Sequence, residues 1–174
     1  MHRFTTSAFI MLIFALPIPA SAELCGAWVE PIRTAIADVC QRQIASERST
    51  AMSHEAPSQY SFCAWRLAGG TEQSDPASNA SVIRWESETS EQAEKAYALN
   101  REEFGKMTYP KSGSKIEDIE GIGQKAFWDP IAQRLVVIDK STVFVFSGCS
   151  ADQTEARETA SAIASSLLGA KKAA

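Results

Sequence analysis

The stretch Glu117-Asp118-Ile119-Glu120-Gly121-Ile122-Gly123-Gln124-Lys125-Ala126-Phe127-Trp128-Asp129 decides how this chain folds. It reads as a strand, a glycine-braced turn and a second strand. Gly121 and Gly123 flank Ile122 and carry no Cβ, so the backbone can take φ > 0 and reverse sharply there. Two apolar runs follow, Arg134-Leu135-Val136-Val137-Ile138 and Thr142-Val143-Phe144-Val145-Phe146. Runs of β-branched and aromatic residues bounded by turn residues are strand signals. Together these segments predict an antiparallel meander with no reactive side chain in its last two strands.

Upstream, Trp28, Ile32, Ile36, Val39 or Cys40, and Gln43 or Ile44 repeat at three-to-four spacing, which predicts a helix over 28–48 with Trp28 in the core. Pro31 suits a first helical turn. The polar stretch 49–58 reads as loop. Tyr60 to Leu67 predicts a strand ended by Gly69-Gly70, and Ala80 to Glu86 a second, the pair forming an antiparallel hairpin with a long connection. Thr89 and Gln92 have capping-box spacing, and Ala93, Ala96, Tyr97, Asn100 and Phe104 share a face. Gly105 reads as the stop of this helix, and 109–114 as a linker into a short strand at 115–119. Past the meander, Asp152 and Glu155 cap a helix over 154–168 that Gly169 ends. The expected order is α-β-β-α-β-β-β-β-α. Strands arriving in consecutive runs predict an α+β fold, an antiparallel sheet of five or six strands packed by helices.

Residues 1–22 carry the anatomy of a secretory signal peptide: a basic Met1-His2-Arg3, an uncharged apolar run, and Ala20-Ser21-Ala22 as the cleavage site. The apolar run is shorter than the roughly 20 residues that span a bilayer. Leu24 before Cys25 does not suit a lipid-modified cysteine, so the expected product is a soluble periplasmic or secreted domain over 23–174. Without Arg3 its 17 − 1 = 16 basic residues face 21 acidic ones, a net charge of −5. That balance argues against nucleic acid, which needs concentrated positive charge. Cys25, Cys40, Cys63 and Cys149 form an even set without a C-x-x-C pair, which in an exported chain predicts two disulfides. Sequence allows three pairings. Cys40–Cys63 with Cys25–Cys149 is preferred, tying a helix to the next strand and the N-terminus to the last strand.

Candidate chemistry is sparse. His54 is the one histidine of the expected mature chain and lies in a polar stretch. Ser112 and Ser114 beside Lys111 and Lys115 sit in a Gly/Ser/Pro segment unsuited to holding a nucleophile rigidly. Gly121-Ile122-Gly123 enters a strand rather than a helix and so is no dinucleotide fingerprint. Neither a metal set nor a cofactor motif is present. Glu117, Asp118 and Glu120 cluster beside the turn and are candidates for a partner-docking edge. Trp85 and Trp128 are read first as core residues, since most large aromatics are substantially buried, and otherwise as candidates for a pocket or partner-facing patch.

The Cys63-Ala64-Trp65 strand, the Glu120-Gly121-Ile122-Gly123-Gln124-Lys125-Ala126-Phe127-Trp128 turn, the Leu135-Val136-Val137 strand and the alanine-rich last helix resemble those of small exported bacterial proteins with a PsbP-like α/β sandwich. The resemblance covers about the last two-thirds of the mature chain. It implies a fold and a binding or accessory role, and it supplies no catalytic residues.

The expected function is therefore non-enzymatic: a periplasmic accessory protein that docks a protein partner. A sharper variant is an inhibitor or immunity protein whose acidic edge speeds association with a basic target. The alternative is a carrier of an apolar small molecule between sheet and helix, lined by Trp85, Phe127, Phe144 or Phe146. A third class, a hydrolase, lacks its residues.

Overall fold

In a computed structural model, residues 26–53, 59–69, 76–112 and 115–169 are described. The expected signal segment, Cys25, His54 and Ser114 lie outside them, as do the side chains of Trp28, Phe104 and Ser112.

The chain is α+β. The helices are α1 (Gly26–Cys40), α2 (Ser90–Ser112) and α3 (Gln153–Leu168), with one short 3-10 turn at Pro76–Ser78. The strands are β1 (Ile44–Ser53), β2 (Gln59–Leu67), β3 (Asn79–Glu86), β4 (Glu117–Ile119), β5 (Lys125–Asp129), β6 (Arg134–Asp139) and β7 (Thr142–Ser147). All seven join one antiparallel sheet in the order β1-β2-β3-β7-β6-β5-β4. The β2–β3 hairpin and the β5–β6–β7 meander stand as the sequence predicts.

Strand alternation divides the side chains between two faces. One face carries Cys63, Trp65, Leu67, Ala80, Val82, Trp128, Leu135, Val137, Phe144 and Phe146 against Ile32 and Ile36 of α1 and Ala156, Ala160, Ile163 and Ala164 of α3. The other carries Phe127, Val136, Ile138 and Val143 against Ala93 and Tyr97 of α2. The Tyr97 and Phe127 rings meet edge to face at 5.3 Å. The result is a helix–sheet–helix sandwich with two helices on one side and one on the other.

Strand β1 corrects the reading of 28–48 as helix and 49–58 as loop, and raises the strand count to seven. Gln41 takes φ 49°, a left-handed conformation that ends α1 after Cys40. Ile44 continues the helical spacing of Ile36 and Cys40, which disguises the boundary. β1 has only one paired edge, and Ala45, Ser46, Glu47 and Arg48 are exposed, so it shows no apolar alternation. Glu47 nevertheless anchors it: its Oε2 accepts from Arg33 Nη2 at 2.6 Å and from the indole Nε1 of buried Trp65 at 3.3 Å. Helix α2 also outruns its expected stop. It passes through Gly105 and into the expected linker, ending at Ser112; one interior glycine costs only about 1 kcal/mol relative to alanine. Its start is as predicted, with Thr89 Oγ1 accepting from Gln92 N and Gln92 Oε1 accepting from Thr89 N. Asp152 likewise caps α3 through Thr154 N and Glu155 N.

The preferred disulfide pairing is overturned. Cys40 bonds Cys149, joining the end of α1 to the segment that leads into α3. The preference assumed a helix running on towards Ile44. Because α1 stops at Cys40, its C-terminus lies beside α3 on the same face. Cys63 is buried and also disulfide-bonded, and no described cysteine is free.

Two glycines fix close approaches. Gly123 has φ 58°, and a Cβ there would lie 2.4 Å from Val137 Cγ1 and 2.7 Å from the Ile138 carbonyl oxygen. Gly148 lets the end of β7 pass under α3, where a Cβ would meet the Ala156 carbonyl oxygen at 2.5 Å.

Two outcomes follow from this packing. Peptide mapping of unreduced protein should recover Cys40 linked to Cys149. Replacing both by Ala should lower stability by about 2–5 kcal/mol, since the link closes a long loop; a Cys40–Cys63 peptide would contradict the arrangement. Gly123→Ala combines positive φ with a backbone clash and should cost more than about 1 kcal/mol in denaturant melts. An unchanged midpoint would show that the turn does not hold this conformation.

Candidate functional site

The acidic cluster is separated by the strand that carries it. Successive side chains on β4 point to opposite faces. Glu117 therefore receives Arg157 of α3 at 2.7 Å, while Asp118 receives both terminal nitrogens of Arg101 of α2, at 2.5 and 3.1 Å. These carboxylates strap a helix on each face to the edge of the sheet. Arg101 also lies over the Phe127 ring, 5.9 Å from its centre. Glu120 stays exposed beside the turn. The three residues do not form a single docking edge.

Beside them, between α2 and β4–β5, lies an open cleft of about 340 Å³. Its lining includes Tyr97, Arg101, Asp118, Glu120 and Lys125, and Lys125 Nζ donates to Glu94 of α2 at 2.6 Å. Burial pushes the Tyr97 hydroxyl up to about 12, with Asp118 and Glu94 adding to the rise and Arg101 opposing it. A tyrosine held protonated so firmly is a poor base at neutral pH. The cleft reaches the size of a small-molecule pocket, about 300 Å³ or more, which would suit a carrier, but beside Ile119, Ile122 and Ala126 its lining holds ion pairs that an apolar ligand would have to desolvate. The residues that would have lined an apolar cavity are packed: Phe127, Phe144 and Phe146 lie in the cores of the two faces.

The tryptophans separate clearly. Trp65 is buried, and Trp128, 2% exposed, belongs to the core rather than to a partner-facing patch. Trp85 is 37% exposed. It stands on the face that α2 covers, but at the other half of it. The register aligns Trp85 with Tyr60, Ile83 with Phe62 and with Val145, and Ser81 with Ala64, all on that face. Along β2 the contrast between faces is plain: Ser61, Cys63, Trp65 and Leu67 are buried, whereas Tyr60, Phe62 and Ala64 are half-buried and Arg66 is exposed.

Helix α2 leans away from this half. Its Glu94 and Arg101 reach Lys125 and Asp118 on β5 and β4. At 100° per residue, Gln92, Ala96 and Leu99 lie on the opposite flank, towards β3. Leu99 is 58% exposed. Among the described residues, Tyr60, Phe62, Ile83 and Trp85 thus form an apolar strip on this face, half-buried except for the more exposed Trp85.

Arg48 and Arg66 stand at its far end, on the same face as Phe62 and exposed. They are diagonal neighbours across the β1–β2 pair and make no ion pair among the described residues. Sequence reading named Trp85 but missed the rest of this surface. Its signal was present in β2, where both parities are apolar: one set meets helices, and the other predicts a cover that the described helices do not provide.

No group of three or more His, Cys, Asp or Glu among the described residues could hold a metal ion, and no described helix is long and apolar enough to cross a membrane. No family model, curated protein or solved structure matches the chain.

The Tyr97 environment has a measurable consequence. Its folded-state pKa lies above the ordinary value of 10.0, so the native state keeps a proton that the unfolded chain releases. Stability from this group is full below pH 10 and is lost as pH rises towards 12. Absorbance titration should find one tyrosine ionising near 12, and Tyr97→Phe should remove that step. A variant titrating like the parent would place the shift elsewhere.

Proposed function

We propose that this chain is an exported, non-enzymatic accessory protein that docks a protein partner on the open half of its sheet. The observation that carries the reading is Trp85, 37% exposed at the end of a half-buried aromatic and aliphatic row. A large aromatic in a contiguous apolar strip costs solvation in the free protein, and Trp and Tyr are favoured anchors of interfaces. The Cys40–Cys149 disulfide supports an oxidising compartment, in keeping with the signal-like segment 1–22. The sandwich layering suits the PsbP-like architecture that the sequence resembles, and that kinship stays part of the proposal.

Two narrower readings lose their support. The inhibitor or immunity variant drew on an acidic docking edge, but Glu117 and Asp118 are engaged with Arg157 and Arg101. The carrier reading drew on Phe127, Phe144 and Phe146 as pocket lining, and these are packed in the cores of the two faces.

The test is site-specific photocrosslinking. A benzoyl-phenylalanine at position 85, in protein exported by its source cell, should trap a protein that the same group at Lys115 does not. Equal trapping at both positions, or none at 85, would contradict docking on this face.

A further inference from the structure

We infer that the occupant of the open half-face is an amphipathic helix of the partner. Its apolar stripe would lie on Tyr60, Phe62, Ile83 and Trp85, and its carboxylates on Arg48 and Arg66. This inference rests on the docking reading and gives it a chemistry.

Shape comes first. Seven strands span about 29 Å, whereas a helix with its side chains covers about 10 Å. On one face α1 and α3 lie together over the sheet, and on the other α2 packs chiefly on β6 and β7, with Tyr97 reaching Phe127 of β5. The remainder that the described helices do not cover, β1 to β3, is about one helix wide. Its bordering flank on α2 presents Ala96, small enough for close helix approach, and the exposed Leu99. Strand β3, eight residues long, sets a strip of about 26 Å, the length of a helix of about 18 residues.

Charge comes second. The chain is net negative at −4, yet the ionisable side chains that β1, β2 and β3 place on this face among the described residues are Arg48, Arg66 and the tyrosine Tyr60. Like charges at diagonal cross-strand sites repel, and among the described residues β1, β2 and β3 place no carboxylate on this face to relieve them. Elsewhere arginines are engaged: Arg33 with Glu47, Arg42 with the Ala68 carbonyl, Arg101 with Asp118, Arg157 with Glu117. Two guanidiniums that make no ion pair among the described residues, beside an apolar strip, are complementary to a carboxylate-bearing helix. A membrane surface or nucleic acid is less favoured, since the acidic remainder of the molecule would be repelled.

The probe is a synthetic 18-residue helical peptide with leucines at three-to-four spacing flanked by glutamates, alongside its lysine counterpart. Each is titrated into isotope-labelled full-length protein and followed by NMR. The acidic peptide should shift the Trp85 indole and the amides of Phe62 and Ile83, leaving Trp65 and Trp128 unmoved. R48E/R66E should weaken it at least tenfold and gain affinity for the lysine peptide; R48Q/R66Q guards against misfolding of the reversal variant. Equal affinity for both peptides, no binding up to millimolar concentration, or indifference to R48E/R66E would overturn the inference. So would a dimer in sedimentation that Trp85→Ala dissociates, or Arg48-dependent binding to phosphatidylglycerol vesicles without peptide binding. If position 85 still crosslinks a protein while the peptide fails, docking stands and the helix is wrong; if both fail, both fall.

Discussion

The seven-stranded sheet is wider than its three described helices can cover, and the rest of this molecule follows from how that shortage is distributed. Each strand adds about 4.8 Å and each helix shields about two strands. The face bearing Trp65, Trp128 and Phe146 receives two helices, held together at one end by Cys40–Cys149. The face bearing Phe127 and Val136 receives one, docked through Ala93 and Tyr97. What α2 leaves uncovered is the surface to which function is assigned.

The side on which α2 sits is itself determined. Gly123 packs its backbone against Val137 and Ile138, where no Cβ fits, and this brings β4 back alongside β5. β4 then offers Glu117 to α3 and Asp118 to α2. Exposed ion pairs of this kind contribute little individually, about 0–1 kcal/mol. Their effect is positional: Asp118–Arg101 and Lys125–Glu94 hold α2 towards the β4 edge, away from β1 to β3, while Glu117–Arg157 ties α3 to that edge from the other face.

Much of this was legible from residues alone. The meander strands, the β2–β3 hairpin, the Thr89–Gln92 box and the Asp152 cap all announced themselves because their signals are local. β1 did not, because an edge strand with exposed Ser46, Glu47 and Arg48 lacks apolar periodicity and Ile44 mimics a continuing helix. The disulfide pairing depended on where α1 stops, a fact set by a left-handed Gln41 that no turn residue advertises. Glu117, Asp118 and Glu120 looked like one cluster because sequence proximity conceals that a strand sends neighbours to opposite faces. The open strip was hidden for the converse reason: Tyr60, Phe62, Ile83 and Trp85 become neighbours only once β2 and β3 pair.

The claim on which the account turns is that the Tyr60–Phe62–Ile83–Trp85 strip is open in the isolated protein while the opposite face is sealed. Hydroxyl-radical footprinting of the free, monomeric protein measures this directly, residue by residue. The account predicts fast oxidation of Trp85 and intermediate rates at Tyr60 and Phe62, with Trp65, Trp128 and Phe146 protected until unfolding. Protection of Trp85 equal to that of Trp65 would contradict it, because the face would then already be covered.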